Sequence, residues 1–157
     1  MIFNLFWALL FIGAAWCSWR ISAADFRRRI IPDVYLVPLF LIGLLVTAFF
    51  PHWICGLHDS VIGATLGYAL GSIIGYIFDR IGRKKDPKSD TPIGMGDIKL
   101  LATGGLWLGT NGLAIALVLA CIFGGIWGKR KKQKFIPFAP FFIAGAILAL
   151  IAMAFLV

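Results

Sequence analysis

Six stretches of the chain are apolar over almost their whole length, and they leave it few ways to fold. They run roughly over 2–24, 34–50, 61–78, 98–108, 112–128 and 137–157. The hydrocarbon core of a bilayer takes about 20 apolar residues per helix, within a range of about 17 to 25. Inside it the backbone must satisfy its own hydrogen bonds, which a helix does within one segment. The sequence therefore predicts an all-α membrane protein of six transmembrane helices, forming one integral-membrane domain over 1–157. Composition agrees: 61% of residues are hydrophobic and 14% charged, with a mean hydropathy of +0.92, whereas a soluble domain is far more polar. The fourth stretch is short. Its polar start, Gly-Met-Gly-Asp, falls inside the membrane boundary, where irregular backbone needs a protein or water-filled surround.

The formal charge is +8, from fifteen Lys and Arg against seven Asp and no Glu. In a soluble chain this would suggest nucleic acid. Here the basic residues fall into three groups, one at each odd-numbered connection. Arg20 and Arg27 to Arg29 flank the first connection; Arg80, Arg83, Lys84, Lys85, Lys88 and Lys99 flank the third; Lys129 to Lys132 and Lys134 fill the fifth. The second and fourth connections have none. Since Lys and Arg collect on the cytoplasmic side, odd connections are expected in the cytosol and both termini on the outer, periplasmic side of the inner membrane. Lipid headgroups, not nucleic acid, are the expected partners of the basic loops.

The first apolar run has no basic residue before it and several after it, the reverse of a cleavable signal, so it is expected to remain as a helix. Cys17, Cys55 and Cys121 lie in or beside separate segments without Cys-x-x-Cys spacing, and both histidines, His52 and His58, sit in the second connection. These positions offer neither a disulfide framework nor a metal site. The one linker-like stretch, "DRIGRKKDPKSDTP" at 79–92, reads as a mobile loop.

Carboxylates beside lipid need a reason. Asp25, Asp33, Asp79 and Asp97 fall at the cytoplasmic ends of predicted helices, Asp59 at the outer side, and Asp86 and Asp90 in the loop. Asp79, beside Arg80 and Arg83, reads as a locally paired helix end, and Asp33 as an amino-terminal cap. Asp25 is less easily explained, because a helix carboxyl end disfavours an anion. Asp97 follows Gly94 and Gly96, which permit close approach of another chain. Ionisable groups so placed are functional candidates by default. Two carboxylates brought together share one proton, leaving one acid and one base, the chemistry of aspartic proteolysis. The same residues also fit a small proton-coupled transporter or a structural subunit whose aspartates only cap helices.

Two motifs bear on this choice. "DFRRRIIPD" after the first helix and "GMGDIKLLATGGLWLG" opening the fourth resemble those of the type IV prepilin peptidases, membrane aspartic peptidases of the GxGD kind related to preflagellin peptidases. The resemblance implies that Asp25 and Asp97 form the catalytic pair, Asp33 being the less favoured partner from the same motif. It implies cleavage of a short basic leader from type IV prepilins or pseudopilins at the cytoplasmic face, the following apolar helix staying in the membrane. Gly94 and Gly96 would let an extended substrate approach, the 79–92 loop would close over it, and Asp86 and Asp90 would help to recognise the leader. Lys99, two residues from Asp97, is expected to snorkel to the interface. "IPFAPFF" at 136–142 resembles the family's Pro-Phe-Gly-Pro-Phe segment, with Ala139 in place of glycine; that departure is expected to touch no catalytic group. Larger members carry an amino-terminal cytosolic region with two Cys-x-x-Cys pairs and methylate the cleaved pilin. This sequence shows no such pairs, so peptidase activity without N-methyltransferase activity, and without metal or other cofactor, is the expectation.

Overall fold

A computed structural model of the chain describes residues 2–50, 55–85, 93–132 and 136–156. All regular structure among them is helical: α1 (Ile2–Arg28), α2 (Asp33–Phe49), α3 (Leu57–Lys85), α4 (Met95–Lys131) and α5 (Phe138–Leu156). Four helices contain stretches long and apolar enough to cross a membrane, Asn4–Arg28, Leu57–Gly82, Met95–Lys131 and Phe138–Phe155, and Asp33–Phe49 is a shorter apolar helix. Large hydrophobic side chains cover much of the outside, as expected where lipid is the solvent.

The predicted fourth and fifth segments are joined in α4, which is not straight. At 37 residues a straight helix would reach about 55 Å, well beyond a bilayer core of about 30 Å. Gly109 interrupts it with φ 65° and ψ −171°, a conformation open to glycine and strained for any other residue. The chain folds back there. Gly104 before the break packs on the ring of Phe142 and Gly124 after it on the ring of Phe141. Twenty residues of straight helix would separate these glycines by about 30 Å, yet they meet adjacent residues of α5. Asp59 of α3 fixes the break, accepting hydrogen bonds from the amide (3.3 Å) and hydroxyl (2.8 Å) of Thr110. Beside it Cys55 Sγ lies 3.0 Å from the buried Ser60 hydroxyl, and burial pushes the Cys55 thiol up, keeping it a neutral partner.

α3 lies along the first half of α4 on a ridge of glycines. A Cβ on Gly63 would strike the carbonyl of Gly105, and one on Gly67 the carbonyl of Leu101, while Gly71 rests on Ile98. Small residues at four-residue spacing let helix backbones touch, which is how helices gain contact where lipid removes the hydrophobic drive to associate. On the other side Trp107 Nε1 donates to Leu39 O at 3.0 Å, tying α4 to α2. A core including Ile21, Leu36, Leu100, Leu108, Ala116 and Phe142 fills the centre.

Two boundaries differ from expectation. α3 continues through Lys85, so the first half of the expected 79–92 loop is helix. Asp79 and Arg80 sit within it, Arg80 donating to the Tyr76 hydroxyl at 2.7 Å. Asp86, Asp90, His52 and Lys134 lie outside the described residues. α1 runs a turn beyond Ala24 to Arg28, which places Asp25 inside its last turn.

Candidate active site

α1 ends because Arg29 takes the left-handed conformation (φ 55°), its amide bonding back to Asp25 O at 2.9 Å. That last turn carries Asp25 inward, and the carboxylate is 5% exposed. An anion at a helix carboxyl end is disfavoured, and the fold answers with another helix. Asp25 Oδ2 accepts the backbone N–H of Ala139 at 2.8 Å, in the first turn of α5. The Arg29 guanidinium and the Phe138 amide also lie within electrostatic range of the carboxylate. Residue 139 therefore meets a proposed catalytic group, but through its amide, which glycine and alanine share, so the departure to alanine is not what makes the contact. The sequence signal was "PFAP". Pro140 in the first helical turn supplies no N–H, and Phe138 and Ala139 are donors without an intrahelical acceptor.

Asp97 is the third residue of α4. Gly94 N–H donates to its Oδ2 at 3.1 Å, and Gly94 O accepts from the Asp97 and Ile98 amides. An Asp in the first turn of a helix is well placed for charge. Asp97 is half-buried, and it and Asp25 lie within each other's electrostatic range. The two carboxylates singled out from sequence thus come within electrostatic range of one another from α1 and α4.

The supporting residues divide. Gly94 is exposed and uncrowded, whereas the space at Gly96 is taken by Ile31 of the same chain. The close approach at Gly96 is thus made by the segment before α2. Asp33 does not cap α2. Pro32 holds the cap position without a side-chain cap bond, and Asp33 instead pairs with Lys99 Nζ at 2.7 Å, with side-chain exposures of 57% and 44%. Lys99 is thereby turned toward α2.

A cavity of about 640 Å³ lies between α1, α4 and α5, and neither aspartate is among its lining residues. Ser22, Leu100 and Pro140 line its near end, the first two one turn from Asp25 and Asp97 and the third adjacent to Ala139. Its walls are otherwise mainly apolar, with Phe11, Trp107 and Leu150 toward the far end. Two of its hydroxyls, Ser18 and Thr103, bond to their own helices. A second recess of about 420 Å³ is lined by Phe26, Arg27, Arg28, Arg29, Trp127 and Pro137. Phe26, Trp127 and Phe141 form a chain of ring contacts at 5.6 and 5.7 Å that draws the ends of α1 and α4 to the start of α5. Among the described residues no group of three or more His, Cys, Asp or Glu is arranged to hold a metal.

Residues 5–129 match the profile of the Type IV leader peptidase family. The chain is 30% identical over 151 residues to a prepilin leader peptidase/N-methyltransferase of Pseudomonas putida, covering 91% of this chain and 50% of that protein. A relative of the same description from Escherichia coli (strain K12) is 31% identical over 137 residues, 83% of this chain and 57% of its own length. One from Aeromonas hydrophila is 30% identical over 143 residues, 87% and 47% respectively. The chain thus spans about half the length of these curated relatives. No solved structure matches it. Nothing in these matches favours a transporter.

Proposed function

The chain belongs to the type IV leader peptidase family, and from that premise we propose that it is an aspartic endopeptidase that cuts the short basic leader from type IV prepilins or pseudopilins at the cytoplasmic face of the inner membrane. Of the two activities in the relatives' names, the peptidase is assigned to these residues. The observation that carries the reading is that Asp25 and Asp97, from separate helices, lie within electrostatic range of one another, with an apolar cavity whose lining begins one turn away. Two carboxylates with one proton between them provide a base for water and an acid for the scissile carbonyl. Gly94, exposed beside Asp97, leaves room for an extended substrate. Water and the carboxylates suffice for this chemistry, and no cofactor enters it.

The proposal includes six passages through the bilayer, the two halves of α4 counting separately, with both termini outside. The fold-back at Gly109 and the grouping of basic residues support it. Asp25 and Asp97 then lie at the cytoplasmic end, where a leader would be presented.

Cleavage of a membrane-embedded prepilin by wild type, Asp25→Asn, Asp97→Asn and Asp33→Asn tests the assignment. Asparagine keeps size and hydrogen bonding but cannot serve as acid or base. Asp25→Asn and Asp97→Asn are each expected to lose about 10²-fold or more, and Asp33→Asn to retain cleavage. Substantial cleavage by either of the first two, correctly inserted, rules out the aspartic mechanism as assigned.

A further inference from the structure

We propose that the amide of Ala139 is a positioning group that holds the negative charge of the carboxyl pair on Asp25, making Asp25 the base and Asp97 the acid. The inference rests on the catalytic reading of these two aspartates and goes further by assigning their roles.

The two carboxyls are served unequally. Burial costs an Asp25 anion its hydration, and the Ala139 N–H at 2.8 Å offsets that cost, with Arg29 and the Phe138 amide adding positive potential. Both amides belong to the first turn of a 19-residue helix, whose amino end carries the positive pole of its dipole. Asp97 receives one amide, Gly94, at 3.1 Å and from a more exposed position. The cation nearest it in sequence, Lys99, is engaged by Asp33. The charged groups acting on Asp25 are Arg29, just past the end of α1, and Asp97 from α4; the first turn of α5 contributes amides and no ionisable side chain. When a single negative charge is shared, it settles where more donors face it.

The proton steps then balance. Water attacks the scissile carbonyl carbon, giving one proton to Asp25, while Asp97 gives its proton to the carbonyl oxygen. The resulting diol returns a proton to Asp97 as the C–N bond breaks, and Asp25 passes its proton to the leaving amine. Both carboxyls end as they began.

The test is the pH profile of prepilin cleavage by the full chain in lipid. Ala139→Pro removes the N–H in the first helical turn, where proline is tolerated, and Ala139→Gly keeps it. An N–H bonded to a carboxylate favours the ionised form, so losing it means the base protonates at higher pH. The acid limb of kcat/KM is expected to move up by about one pH unit in Ala139→Pro, about tenfold less cleavage at a fixed pH on that limb, and to stay in place in Ala139→Gly. If Ala139→Pro does not insert, Phe138→Pro against Phe138→Ala makes the same comparison at the first helical position. An unmoved limb in an inserted proline variant overturns the inference, as does an equal shift in its N–H-bearing control. Should Asp25→Asn and Asp97→Asn still cleave, it is the catalytic reading that fails; if they are dead and the limb does not move, only the role of the amide fails.

Discussion

At the scale of single residues, Asp25 was conspicuous in the sequence because its position opposed the helix dipole, and the structure supplies what the sequence lacked. Its donor lies 114 residues away, on the backbone of an alanine. A main-chain amide has no side-chain signature, and so "IPFAPFF" does not disclose the contact. Lys99 is the converse case. Two residues from Asp97, it invites a catalytic role, yet it bonds Asp33 across α4 and α2. A pair this exposed contributes at most about 1 kcal/mol. Lys99→Ala is therefore expected to lower stability by no more than about that amount and to leave the pH limbs of cleavage where they are. Inactivation with normal insertion, measured on the same membranes, would instead place Lys99 in the site.

At the scale of elements, α3 and α4 meet along a spacing that is visible in the sequence. Gly63, Gly67, Gly71 and Gly75 recur every four residues within an apolar run, the spacing at which membrane helices approach closely. The sequence alone does not say which helix covers the ridge, and the structure shows the first half of α4. The ridge predicts graded substitutions. A Cβ at Gly67 meets the Leu101 carbonyl, whereas one at Gly75 finds only ordinary contacts at 3.8 Å. Gly67→Ala should cost about 1–3 kcal/mol through overpacking against backbone that cannot yield, and Gly75→Ala should be near neutral, as read by thermal unfolding in detergent. Gly109→Ala should be damaging for another reason: it forces a side chain into left-handed backbone against Asp59, with about 1–2 kcal/mol from the conformation alone. Equal melting of wild type and Gly109→Ala would show that the break does not need glycine. The sequence had located this break, dividing the apolar run between Leu108 and Gly112. The helix ends were harder to read, since α1 and α3 run past their apolar segments on charged residues, where hydropathy carries no information.

At the scale of the whole molecule, the arrangement of charge and the course of the chain bear on one question, the side of the membrane at which the carboxyl pair works. The fold-back at Gly109 returns the second half of α4 toward the end from which the first half started, so that Trp127 reaches Phe26 beside Asp25. Arg27 to Arg29 and Lys129 to Lys132 therefore gather at the Asp25 end of the bundle, whereas Asp59 and Thr110 meet at the other. Positive charge crosses a bilayer poorly during insertion and is retained in the cytosol. With six passages, both termini lie opposite the basic end. Fusions of a phosphatase active only outside the cytosol, made after Gly56, after Thr110 and at the carboxyl terminus, should be active. Fusions after Ile30 and Lys132 should be silent. The fusion after Thr110 is the discriminating one, because it is exported only if the first half of α4 takes the chain across the bilayer. Silence there, with activity after Gly56, would make that half a re-entrant segment. Reversal of the whole pattern would put Asp25 and Asp97 on the outer face, away from any leader presented in the cytosol.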